Sequence, residues 1–292
     1  MSEAVVIDAV LPNATPRRGA WRFVRRNPTL VAGAMILIAM SVIAAIAPLI
    51  AGDPVIMKPS DRLLPPSATH WFGTDHLGRD VWARTVYGAR ISLLVGASVA
   101  TISMCIGLAI GLAAGFVKIV ETVVMRLMDG LMAIPAILLA IAMVSLSRAS
   151  VLVVIAAIVI PEVPRVVRLV RAVVLAVREQ PFVEAAVASG TRLPKILIRH
   201  ILPATVPPLI VQATYIAAAA ILIEAALSFL GAGTPPEIPT WGNMIASSRL
   251  YLARAPWTIF CPGLALALVV LAVNLVGDGL RDRLDPRLAR RM

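Results

Sequence analysis

Charge and aromatic rings are scarce in this chain: Asp, Glu, Lys and Arg make up 15% of its 292 residues, and Phe, Trp and Tyr only 5%. With 59% hydrophobic residues and a mean hydropathy of +0.89, that scarcity excludes a soluble globular domain. Strands of alternating apolar and polar residues are also missing, which argues against an outer-membrane barrel. Two cysteines, Cys105 and Cys261, both fall inside apolar runs, so a disulfide framework is excluded. No His or Asp clusters beside them to hold a metal, and the expectation is two buried free thiols. No Gly-x-x-x-x-Gly-Lys-Ser/Thr loop occurs, so the chain does not bind ATP by that route. Three histidines in three separate settings, with no His-Glu-x-x-His or Ser/His/Asp constellation, leave no basis for an enzyme.

What the chain has is long apolar runs. Residues 30–50, 91–117 and 255–277 are uncharged over 21, 27 and 23 residues, each long enough to span a bilayer. Gly130 to Ser147 is uncharged over 18 residues, with Pro135 as a kink site, and Ile201 to Ala232 is interrupted only by Glu224. A further span begins near Ala149 but meets Pro161 after 13 residues, and its continuation requires arginines that snorkel to the interface. The expectation is an all-α membrane protein of about six transmembrane helices. Its parts are a cytoplasmic tail over 1–28, a first transmembrane helix over 29–51 and an extracytoplasmic loop over 52–90. A transmembrane domain occupies 91–281, with a cytoplasmic loop at about 178–203, then a cytoplasmic tail over 282–292.

The net charge of +11 raises the question of nucleic acid, but its distribution answers it. Of the 27 Lys and Arg, 19 fall in segments on one side of the six-span arrangement and 8 on the other. The positive-inside rule therefore puts both termini and the 178–203 loop in the cytoplasm. Arg17, Arg18, Arg22, Arg25 and Arg26 read as a juxtamembrane anchor to lipid, not a nucleic-acid patch. Residues 1–16 read as a disordered tail. No small-residue cleavage site comes after the first apolar run, so the first span is expected to stay attached.

The loop carries the most specific pattern. Arg165, Arg168 and Arg171 share one helix face, which either rests on headgroups or positions the 178–203 loop. After Arg178 comes Glu184-Ala185-Ala186, then Gly190, then His200-Ile201-Leu202-Pro203. Two short helices with a glycine break make a protruding elbow, with Gly190 supplying the turn. Thr191 is expected to cap the second helix, whose first turn contains Pro194, and Leu202-Pro203 to end it at the membrane. Glu224 is the one acid within a span. It reads either as part of a translocation path or as a hydrogen-bonded structural group near the span's outer end.

This spacing resembles the EAA loop of permease subunits of ATP-binding-cassette importers. His200, where many members have isoleucine, resembles the peptide- and nickel-importer branch. The segments His70–Leu93, Glu224–Gly231, Pro239–Met244 and Asn274–Pro286 resemble further blocks of the C-type permease of dipeptide and oligopeptide importers. The resemblance covers about residues 20–288. It implies the type I importer (MetI-like) transmembrane fold in a bacterial inner membrane. Implied partners are a second permease subunit, two cytoplasmic ABC ATPases that hold the ATP and Mg, and an extracytoplasmic substrate-binding protein. No cofactor is implied on this chain. Glu184, Ala185, Ala186, Gly190, His200, Leu202 and Pro203 would couple it to the ATPases. Peptide is the first substrate expectation and nickel or another small solute the second. A stand-alone secondary transporter would need internal ion sites and repeats, and neither is evident.

Overall fold

A computed structural model describes residues 27–147 and 150–284, and among them all regular structure is helical apart from one isolated bridge between Thr74 and Asp80. The basic cluster at 17–26, the tail after 284 and Arg148 lie outside the described residues. We label the main helices α1 (Pro28–Ala45), α2 (Val81–Phe116), α3 (Lys118–Ala133), α4 (Ala136–Ser145) and α5 (Val151–Arg178). The remainder are α6 (Pro181–Ala188), α7 (Leu193–Ile196), α8 (Leu202–Phe229), α9 (Trp241–Ser248) and α10 (Trp257–Leu284).

The centre is α2 against α5. Asp80 starts α2 by accepting from the Ala83 amide at 3.0 Å, and Ser150 starts α5 by accepting from Val153 at 3.2 Å. The two helices run parallel. A methyl placed on Gly107, Gly111 or Gly115 would lie 2.4, 2.6 and 2.6 Å from Cβ of Val166, Val170 and Val174 respectively. Both rows repeat every four residues, so a bare glycine strip on one helix receives a valine ridge of the other. Helix α8 packs on α2, α5 and α10, and α10 packs on α1.

Four helical stretches are long and apolar enough to cross a membrane, or five if the pair α3 and α4 counts as one span. Length and composition among the described residues thus do not confirm the expected six but come close, and two stretches account for the difference. Instead of a kinked span over 130–147, α3 and α4 are separate helices that meet at 84° around Ile134 and Pro135. Ile134 is extended (φ −90°, ψ 126°), as the residue before a proline prefers. Helix α5 runs unbroken through Pro161 and Pro164 but carries Glu162, Arg165 and Arg168 in its first 18 residues.

Those arginines meet acids instead of relying on snorkelling. Arg165 pairs with Glu162 at 3.2 Å, Arg168 with Asp129, and Arg171 donates from Nε to Glu121 at 2.8 Å. Two of the three pairs join α5 to α3. Gly277 and Gly279 lie inside α10, which continues to Leu284. They admit Thr214 and Leu30, which a Cβ would approach within 2.4 and 2.5 Å. Both cysteines are free, but Cys105 is exposed and Cys261 half-buried, since their helix faces look outward from the bundle.

Opposite the elbow, segments 52–80 and 231–256 close over the helix ends. Arg84 is 1% exposed and donates to the carbonyls of Pro54 (3.1 Å) and Pro236 (3.4 Å). The buried Trp241 indole donates to Thr85 at 3.0 Å. Asp75 is held by Arg79 (2.7 Å) and Asp80 by His70 (2.9 Å), so each aspartate already has its own partner. His76 stacks on Tyr251 (5.3 Å), and burial holds its imidazole below the usual histidine range.

Candidate functional site: the elbow between two long helices

Helix α5 ends at Arg178, and α6 starts three residues later with Pro181 in its first turn. Its end is a Schellman closure. The Ser189 amide donates to Ala185 (2.9 Å), Gly190 to Val187 (2.9 Å) and Thr191 to Ala186 (3.0 Å). Gly190 holds φ +73°, and a Cβ there would meet nothing within 4 Å. The glycine is thus required by backbone conformation and not by crowding. Gly190→Ala is expected to cost about 1–2 kcal/mol, the strain of an L-residue in the left-handed region. Gly190→Asn, which tolerates that region, should recover part of the loss. Thermal melts of the three proteins check both statements.

The second leg departs from expectation twice. Arg192, not Thr191, occupies the N-cap of α7, and it makes no side-chain cap bond. Thr191 instead spends its amide on closing α6. Nor does the chain stop at Leu202-Pro203. A π-turn over Leu197–Ile201, closed by the Leu202 amide on the Leu197 carbonyl, runs directly into α8. Pro203 follows directly, at the second residue of α8. The wider turn accommodates the proline ring without a break. The elbow is therefore continuous with α8 on one side and two residues from α5 on the other.

Its inner face is anchored. Val183, Ile196 and Ile201 are each 2% exposed or less, and they belong to the same core as Val170 and Val174. The outer face is open. Glu184, Ala185 and Pro203 are exposed, Ala186, His200 and Leu202 are half-buried, and Phe182, Val187, Leu193 and Ile198 are 52, 60, 43 and 67% exposed. His200 faces Phe182 across the two legs at 6.0 Å. The structure thus gathers Glu184, Ala185, Ala186 and Gly190 on one protrusion, with His200, Leu202 and Pro203 at its base.

Glu224 lies far from this group, near the other end of α8. It is 0% exposed, and Oε1 accepts from Ser228 at 2.9 Å. Sequence reasoning missed the glycine strip of α2, although Gly107-x-x-x-Gly111-x-x-x-Gly115 was its visible signal. It also missed the pairing of Arg168 and Arg171 with acids of α3.

The family model described as "binding-protein-dependent transport system inner membrane component" matches residues 105–290. A second, "N-terminal TM domain of oligopeptide transport permease C", matches residues 15–66. A probable peptide ABC transporter permease protein of Sinorhizobium fredii is 57% identical over 92% of this chain and 93% of its own length. A dipeptide transport system permease protein of Alkalihalophilus pseudofirmus is 43% identical, covering 94% of this chain and 91% of its own. A di/tripeptide transport system permease protein of Pseudomonas aeruginosa is 40% identical, covering 99% and 98%.

Proposed function

The chain belongs to the family of binding-protein-dependent transport system inner membrane components, multi-pass permeases of ABC importers, and from that premise we propose its substrate, partners and coupling surface. The substrate is a di- or oligopeptide, in keeping with what the relatives are named for. The chain forms half of the pathway with a second permease. Two cytoplasmic ATPases supply the ATP and Mg chemistry, and an extracytoplasmic binding protein delivers the peptide. No cofactor is needed on this chain. The 19-to-8 division of Lys and Arg over a six-span arrangement supports a cytoplasmic elbow and cytoplasmic termini.

One observation carries the coupling role. The elbow is a short, internally closed protrusion, open on its outer face and covalently joined to α5 and α8. Closure of the ATPase dimer would push on Glu184, Ala185, Ala186 and the exposed Phe182 and Val187. Because Val183, Ile196 and Ile201 lock into the core, the push moves α5 and α8 as rigid bodies instead of bending the loop. Glu224, buried and bonded within its own helix, serves as a structural group in this reading.

Affinity purification of the tagged chain from a gentle extract is expected to recover a second permease and a P-loop ATPase in fixed proportion. Recovery of a monodisperse chain that transports without any ATPase would overturn the proposal.

A further inference from the structure

Where α8 ends, the segment 231–249 folds back beside it and leaves an open cavity of about 500 Å³, lined by Ser228, Phe229, Thr234, Asn243, Ser247 and the exposed Arg249 among others. That volume is ordinary for a small-molecule site. Its walls are set by close backbone approach. A Cβ on Gly233 would lie 2.1 Å from Ser228 Oγ, and one on Gly242 2.6 Å from Ala225 Cα. Thr240, fully buried, caps α9 by accepting from the Asn243 amide at 3.2 Å. The cavity is therefore formed before any ligand arrives.

Its polar groups are divided in a particular way. The two hydrogens of the Asn243 side-chain Nδ2 are shared among four acceptors within 2.9–3.3 Å, the Thr234 carbonyl and hydroxyl and the Pro235 and Ile238 carbonyls. Its Oδ1 is left as an acceptor. Ser228 commits its hydrogen to Glu224 (2.9 Å) and Ser247 to the Met244 carbonyl (3.1 Å), so both oxygens can still accept. Arg249 supplies the only positive charge in the lining, with its guanidinium 5.8 Å from the Phe229 ring centroid. No carboxylate pairs with it among the described residues.

Resting on the reading of this chain as a peptide permease, we infer that this cavity, at the end of α8 away from the elbow, receives the carboxylate end of the peptide. Arg249 binds the terminal carboxylate as a planar fork. Asn243 Oδ1 and the Ser228 and Ser247 oxygens accept from the peptide N–H groups. A free ammonium finds no acid exposed in the lining, since Glu224 lies behind Ser228 with no exposed surface. The site is thus oriented: it takes the peptide carboxylate end first.

The test uses the complete importer in proteoliposomes and a dipeptide with a diazirine side chain, supplied as the free acid or the C-terminal amide. Irradiation of the wild type with the acid is expected to place adducts on peptides spanning 228–249. Adduct yield should fall about tenfold with the amide and with Arg249→Gln, the weight of a lost charge-assisted hydrogen bond, and recover only in part with Arg249→Lys, which keeps the charge but not the fork. Equal yields from acid and amide, or full labelling of Arg249→Gln, overturn the inference. So does loss of the adducts on adding anionic lipid, which would make Arg249 a headgroup contact. ATP-driven peptide uptake without adducts in this segment removes the cavity's role and leaves the peptide-permease reading standing. Absence of peptide uptake by the wild type, with uptake of a non-peptide solute, removes both.

Discussion

Replacing Gly111 with leucine is expected to abolish recovery of folded protein. Gly111 sits mid-way along the strip that admits the valine ridge of α5, and its missing Cβ would lie 2.6 Å from Val170 Cβ and 3.0 Å from the Val167 carbonyl oxygen. Neither neighbour can withdraw, because Val167 and Val170 are 0% exposed and fixed in the core. A leucine adds four carbons where even one does not fit, so α2 and α5 must separate along their length. Overpacking by single methylenes costs about 1–3 kcal/mol, and domains are stable by only about 5–15 kcal/mol. Gly130→Leu is the control, since a Cβ there meets nothing within 4 Å. Size-exclusion profiles and melting temperatures in detergent check the pair. Equal profiles for Gly111→Leu and wild type would disprove the packing argument.

Glu184→Arg should reduce ATP-driven uptake to background while leaving the protein inserted and folded. Glu184 is exposed in the first turn of α6, and no ion pair or side-chain hydrogen bond holds it among the described residues. Reversing its charge loses a favourable position at a helix N-terminus, roughly 0.3–1 kcal/mol, which is too little to unfold the chain. A loss of transport is therefore a loss of contact with something outside the chain. Co-purification of the ATPase separates the two routes: a missing ATPase means failed docking, and a retained but unproductive one means failed transmission. Wild-type uptake by both Glu184→Arg and Gly190→Ala would remove the elbow from the mechanism.

The prolines show where sequence reading succeeds and fails. Each removes a donor and opposes a helix locally to a similar degree, about 3 kcal/mol in a helix interior. Yet Pro135 separates two helices, while Pro161, Pro164, Pro207 and Pro208 sit inside continuous ones. The difference lies in the neighbours. Helix α5 buries 13 residues against its surroundings, enough to keep it unbroken across its prolines, whereas α3 buries only Met128. The arginines of α5 obey the same logic, since Arg168 and Arg171 find their acids 39 and 50 residues away. No local pattern encodes those distances.

From the sequence alone came everything that depends on composition or on a few consecutive residues. Apolar runs too long for a soluble protein dictated membrane helices, because a buried backbone in lipid must satisfy its own hydrogen bonds. Glycine after a short helix dictated the elbow's turn, because only a residue free of Cβ strain rests easily at φ +73°. The tertiary structure alone decided which prolines break a helix, which glycines admit a neighbour and which acids meet the arginines. It also decided that the elbow flows into α8 through a π-turn instead of stopping at Leu202-Pro203. These outcomes rest on packing between segments distant in the chain, and a locally unfavourable residue is tolerated only where such packing outweighs its cost.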